Sequence, residues 1–196
     1  MRVYELQDPD QLRLRAHPWV DAEADASHRY YDFRAHPERI RTSLEDLLPW
    51  GEHGFTETFY RLLEWLNGPQ SSLETNDCAF HGISPNEGPH STRRLEASGR
   101  LMVLSRNLAA NTRPDHVGGL AQRVAIALSQ MSEGIEAVVG VTIVDVQFTT
   151  LPGSAAQQRG QQLMLSFWAW GDDEAETLGN VDHTLGNLAA ALRAAG

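Results

Sequence analysis

Two stretches decide the fold: AVVGVTIVDVQFTT at residues 137–150 and QQLMLSFWAW at residues 161–170. The first is rich in β-branched residues, which suit extended chain. In the second, Leu163, Leu165, Phe167 and Ala169 point to one face of a strand, while Met164, Trp168 and Trp170 point to the other. Both faces are apolar, unlike a strand with one wet side. Helices cover one face of a sheet. The other is expected to be covered by the first 70 residues or by another subunit, with Met164, Trp168 and Trp170 as candidate interface residues.

On either side of these strands the periodicity turns helical. Val117, Leu120, Val124, Leu128 and Met131 recur at helical spacing and predict a helix from Pro114 to Glu133, ended by Gly134. Leu178, Val181, Leu185, Leu188 and Leu192 predict a last helix, with Asp172 and the acids after it at its positive end. Upstream, SLETNDCAF (72–80) and RLMVLSRNLA (100–109) read as strands around a 19-residue polar loop at 81–99. The order ββαββα predicts an α+β fold. Its sheet is expected to be antiparallel with about four strands, ferredoxin-like or a related split sandwich.

Before this unit, helices are expected over residues 37–48, from Pro37, and over 56–67, capped by Thr56 and closed by Gly68-Pro69. Residues 1–70 are therefore expected to be a mostly helical extension packed on an α+β core of residues 71–196, together forming one compact unit. Residues 1–35 carry no clear period.

With 196 residues, 41% of them apolar, the chain can bury a core without disulfides or a structural metal. The formal charge of −10 disfavours nucleic acid as a partner. All 16 basic residues are arginine, which excludes Schiff-base chemistry and phosphate sites that need a lysine. No apolar run is long enough to span a membrane. The first residues lack the apolar stretch of a signal peptide, and Cys78, the single cysteine, has no intramolecular partner. A cytoplasmic setting is expected.

The most distinctive local run is Glu74-Thr75-Asn76-Asp77-Cys78-Ala79-Phe80-His81. Cys78 and His81 are candidates for a nucleophile and its base, or for ligands. Residues three apart on a strand face opposite ways, however, so Cys78 is expected to be a buried structural thiol. If Phe80 lies near Leu101, Asn76 lies opposite Ser105 and Thr75 opposite Arg106. Glu74, Asn76, Asp77, Arg106 and Asn107 then gather at one end of the hairpin. With Cys78 and His81, they are the candidate ligand-binding residues, and Arg106 is expected within reach of Glu74 or Asp77.

In the loop 81–99, Arg93 and Arg94 suit an acidic partner or a phosphate, and the glycines permit a lid. Gly179 and Gly186 share one face of the last helix and predict close packing, within the chain or on a partner helix. Neither a complete catalytic constellation nor a metal-ligand set is recognisable, so no catalytic residue, cofactor or metal is expected. The expected function is a non-catalytic, acidic protein-binding or accessory protein, of the immunity or pathway-partner type, engaging another protein or a copy of itself. The alternative is a small enzyme or ligand-binding protein using residues 74–81, Arg106 and the 81–99 loop.

Overall fold

A computed structural model describes residues 2–7, 15–17, 31–131, 134–148 and 158–196. In chain order the elements are β1 (Arg2–Gln7), β2 (Arg15–His17), α1 (Gly54–Asn67), β3 (Leu73–Pro85), β4 (Leu95–Ser105), α2 (Pro114–Gln130), β5 (Ala137–Phe148), β6 (Gln158–Gly171) and α3 (Glu174–Ala195). The strands form one sheet in the order β1-β5-β6-β4-β3, and β2 pairs with β5 beyond β1.

The class is α+β, but the sheet is mixed rather than wholly antiparallel. β3, β4, β6 and β5 are antiparallel to their neighbours, whereas β1 and β2 run parallel to β5 in tandem along its outer edge. The ββαββα expectation therefore covers the core and misses the edge. Neither N-terminal strand has the length or periodicity to announce itself. The helix expected over 37–48 is also corrected, to 3-10 turns at Pro37–Arg39 and Leu48–Trp50. Pro49 lies inside the second turn, where it interrupts helical hydrogen bonding.

The three long helices lie on one face: α1 over β3, α3 over β4 and β6, and α2 over β5 and β1, with α3 in the middle. Their apolar stripes meet the inward rows of the strands. Phe55, Phe59, Leu62, Leu63 and Leu66 of α1, Val117, Leu120, Val124 and Leu128 of α2, and Leu178, Val181, Leu185, Leu188 and Leu192 of α3 join Leu101, Val103, Val139, Leu163, Leu165 and Phe167 in one core. His53, not Thr56, precedes the first turn of α1, and the Thr56 hydroxyl donates to the Trp50 carbonyl at 2.7 Å. At α3, Asp173 caps the Glu176 amide at 2.9 Å, and the Glu176 carboxylate accepts from the Asp172 amide at 2.7 Å. This reciprocal pair satisfies two amides at the helix start.

The other face carries a smaller core of Leu104, Val146 and Phe148, with Leu108 against it. Leu104 and Phe148 belong to strands separated by β6, and Gly160 lies between them. A Cβ on Gly160 would sit 2.6 Å from the Phe148 ring and 2.6 Å from the Asn111 carbonyl oxygen. The missing side chain is what allows Phe148 to reach across. Met164 and Trp168 are half-buried and Trp170 is buried on this face, within the single chain.

Close packing within the chain does not account for the α3 glycines. A Cβ on Gly179 or on Gly186 would meet nothing within 4 Å. Among the described residues, no helix is long and apolar enough to cross a membrane.

Candidate functional site

The residues singled out on β3 divide between two faces, and a bulge decides the division. The β3–β4 register runs Leu73–Ser105, Glu74–Leu104 and Thr75–Val103, then resumes at Asp77–Met102 and Cys78–Leu101. One residue, Asn76, is inserted there. Regular alternation would send Asn76 and Asp77 to opposite faces; the bulge turns both to the face without helices. This corrects the expected pairing of Asn76 with Ser105 and of Thr75 with Arg106. A second irregularity lies between Phe80 and Ile83, where Gly82 takes φ +78°. After it the strands continue to Pro85 and Leu95, so the connection spans 86–94 and about half of the segment 81–99 is strand.

Glu74 is the centre of the helix-free cluster. Its side chain is 5% exposed, yet its carboxylate meets His17 Nε2 at 3.2 Å and Arg34 Nη1 at 2.7 Å. A buried carboxylate costs several kcal/mol unless charge and hydrogen bonds compensate it; the Arg34 guanidinium supplies both. The His17 ring also packs edge-on against Phe148 at 5.9 Å. Residues from two N-terminal segments thus converge on one acid of β3.

Beside Glu74, Asn76 Nδ2 donates to Gln162 Oε1 at 3.0 Å, and Gln162 Nε2 approaches Met102 Sδ at 3.6 Å. Gln162 is fully buried and Asn76 is 5% exposed. Asn76 Oδ1 and Thr142 Oγ1, both buried on this face, have no hydrogen-bond partner among the described residues. Asp77 accepts from Arg100 Nε and Nη2 at 3.2 and 3.1 Å. Farther along the same face, Trp170 Nε1 donates to Glu96 Oε2 at 2.8 Å.

The remaining candidates lie elsewhere. Cys78 pairs with Leu101 and packs against the helix-side core. Burial, reinforced by Asp77 and Asp46, pushes its thiol well above the ordinary range. His81 is exposed, and no hydrogen bond joins it to Cys78. Arg106 meets neither Glu74 nor Asp77. It donates to the carbonyls of Leu73 at 3.1 Å, Leu66 at 3.0 Å and Gly68, binding the end of α1 to the start of β3. Burial, then the nearby Arg34 charge, lowers its pKa. Asn107 is exposed and precedes the 3-10 turn Leu108–Thr112.

Both loop arginines are bound at Asp172, Arg93 by its carboxylate and Arg94 by its main-chain carbonyl. Arg93 Nη1 meets Asp172 Oδ2 at 2.5 Å, and Arg94 Nη2 donates to the Asp172 carbonyl at 2.6 Å. The Arg93 hydrogen bond holds the Asp172 carboxyl below its ordinary range. Asn86 Nδ2 braces the connection internally, donating to the Ser91 and Arg93 carbonyls at 3.0 and 2.8 Å. These contacts fasten the hairpin tip to the start of α3.

Sequence reasoning missed His17, Arg34, Arg100, Thr142 and Gln162. Gln162 carried a usable signal, an amide entering a strand apolar on both faces. No group of three or more His, Cys, Asp or Glu side chains placed to hold a metal occurs among the described residues. What the fold and cluster define is a mixed α+β sheet with helices on one face and a buried polar cluster on the other. No family, curated protein or solved structure matches the chain.

The Cys78 surroundings carry a direct expectation. At pH 8 the native thiol stays neutral and resists iodoacetamide, and it becomes reactive on unfolding. Cys78→Ser should cost about 1–3 kcal/mol through the half-buried hydroxyl. Rapid alkylation of the folded protein would show that the thiol is activated instead.

Proposed function

We propose that the chain is a non-catalytic, acidic protein-binding subunit acting in the cytoplasm, and that it engages another protein through the helix-free sheet face. One observation carries the reading: Met164 and Trp168 remain half-exposed in the middle of that face, on the central strand β6. Tryptophan anchors in partly dry surroundings dominate the energetics of protein interfaces. The Arg100–Asp77 pair flanks them as a polar rim. The net charge of −10 favours a basic partner over a second copy, because two such copies repel at long range. The single thiol, held against the core, suits a reducing compartment.

A photo-crosslinking residue in place of Trp168 tests this in cells. The expected result is an adduct with one other protein, lost when Met164→Glu is added, while the same probe at exposed Ile126 on α2 gives none. Adducts only with a second copy, or the same adducts from both positions, would sink the proposal.

A further inference from the structure

We infer that Glu74 and Asn76 form a subsite for one cationic, hydrogen-bond-donating group, a primary ammonium or a guanidinium. The inference goes beyond the protein-binding reading and stands without it. It begins with the orientation of two amides. Gln162 turns its Nε2 toward the Met102 sulfur, a weak acceptor, and offers Oε1 to Asn76 Nδ2. Turning both amides over would place the Gln162 oxygen against sulfur, which has no proton to give, and would only exchange one orphan atom for another. Asn76 Oδ1 is therefore held as a buried acceptor with no donor among the described residues, in a residue 5% exposed. Folded proteins rarely tolerate such an atom without a missing ligand, ion or water.

Glu74, two residues away, lies on the same face: it pairs with Leu104 of the helix-free core, and Asn76 bonds Gln162 on that face. Both groups accept and neither donates, so the pair selects donors and rejects anions. A carboxylate has about four lone-pair sites, and the contacts to His17 and Arg34 each use one nitrogen. The chain already demonstrates the chemistry. Arg34 places one guanidinium nitrogen on Glu74 at 2.7 Å, although its side chain is 50% exposed. A solvent-facing arginine on a buried acid is an exchangeable occupant. An incoming cation takes its place on Glu74 and gives Asn76 Oδ1 the donor it lacks. The chain has no lysine, so no internal side-chain ammonium competes. The bulge at Asn76 supplies the geometry; bulges commonly re-aim a side chain at a binding site.

The group has two sources, a small free amine or an arginine side chain presented by a protein. NMR titration of the isotopically labelled full chain with agmatine, acetyl-Gly-Arg-Gly-amide and uncharged 1-butanol separates them. Agmatine is expected to shift the Asn76 side-chain amide saturably, and butanol is not. Arg34→Ala should bind agmatine about tenfold more tightly, because the internal occupant is gone. Asn76→Leu should lose the effect; should it fail to fold, wild type and Arg34→Ala still decide. Binding of the peptide at least as tightly as agmatine identifies a protein side chain as the source, and binding of agmatine alone identifies a free amine. No saturable shift in wild type and Arg34→Ala, equal shifts with butanol, or weaker binding by Arg34→Ala would overturn the inference.

Discussion

Replacing Gly99 with alanine lowers the stability of the folded chain by about 3 kcal/mol, because a methyl group has no room in that part of the sheet. Gly99 lies on β4 between Phe80 of β3 and Phe167 of β6. A Cβ there would stand 2.6 Å from the Ala79 carbonyl oxygen and would overlap the tip of the Phe167 ring. Neither neighbour yields cheaply. The carbonyl is main chain in a paired strand, and the Phe167 ring is fully buried, 6.5 Å from Phe59 in an edge-to-face contact. Phe167 lies over the bare glycine and recovers the apolar cover that glycine itself cannot provide. Denaturant unfolding of Gly99→Ala measures the loss, and a midpoint equal to wild type would show that the ring has another place to go. Gly179→Ala on α3 is the matched control: its Cβ meets nothing within 4 Å, and the exchange should stabilise by up to about 1 kcal/mol.

Arg106→Ala is expected to cost about 2–4 kcal/mol, since hydrogen bonds from a charged donor contribute about 1.5–3 kcal/mol each and water replaces part of what is lost. The guanidinium serves the carbonyls of Leu66, Gly68 and Leu73 together. Two of these belong to the end of α1, where carbonyls have no partner within the helix. Lysine has one compact head and cannot reproduce the planar fork, so Arg106→Lys should recover less than half of the loss. Agmatine binding at Glu74 and Asn76 should survive in the folded fraction. A stable Arg106→Ala variant would mean that solvent satisfies these carbonyls unaided. Loss of binding without loss of stability would return Arg106 to the ligand set that its sequence position first indicated.

Local information was enough for the long elements. The three- and four-residue spacing of Val117–Leu128 and of Leu178–Leu192 is a property of neighbours along the chain, and so is the two-sided apolar pattern of Leu163–Trp170. That pattern raised the expectation that the first 70 residues or another subunit cover the face away from the helices; within the chain Trp170 is 3% exposed there, while Met164 and Trp168 stay half-exposed. Strand order was less accessible. The pairing of Arg2–Gln7 with Val138–Ile143 uses the edge of β5 that β6 leaves open, and which edge that is depends on contacts distant in sequence.

The site depended on tertiary structure almost entirely. Glu74, Asn76 and Asp77 stood out in the sequence as polar residues on a strand. Which way they face depends on a one-residue bulge that leaves no mark in composition, and a slip of one residue exchanges the faces. Their partners come from far along the chain: Arg34 is 40 residues from Glu74, and Gln162 is 86 residues from Asn76. Charge alone made Arg106 as good a match for Glu74 as Arg34. Only the folded chain separates the two, because the end of α1 and the start of β3 together bring three carbonyls to Arg106, and the N-terminal segments bring Arg34 and His17 to the buried acid.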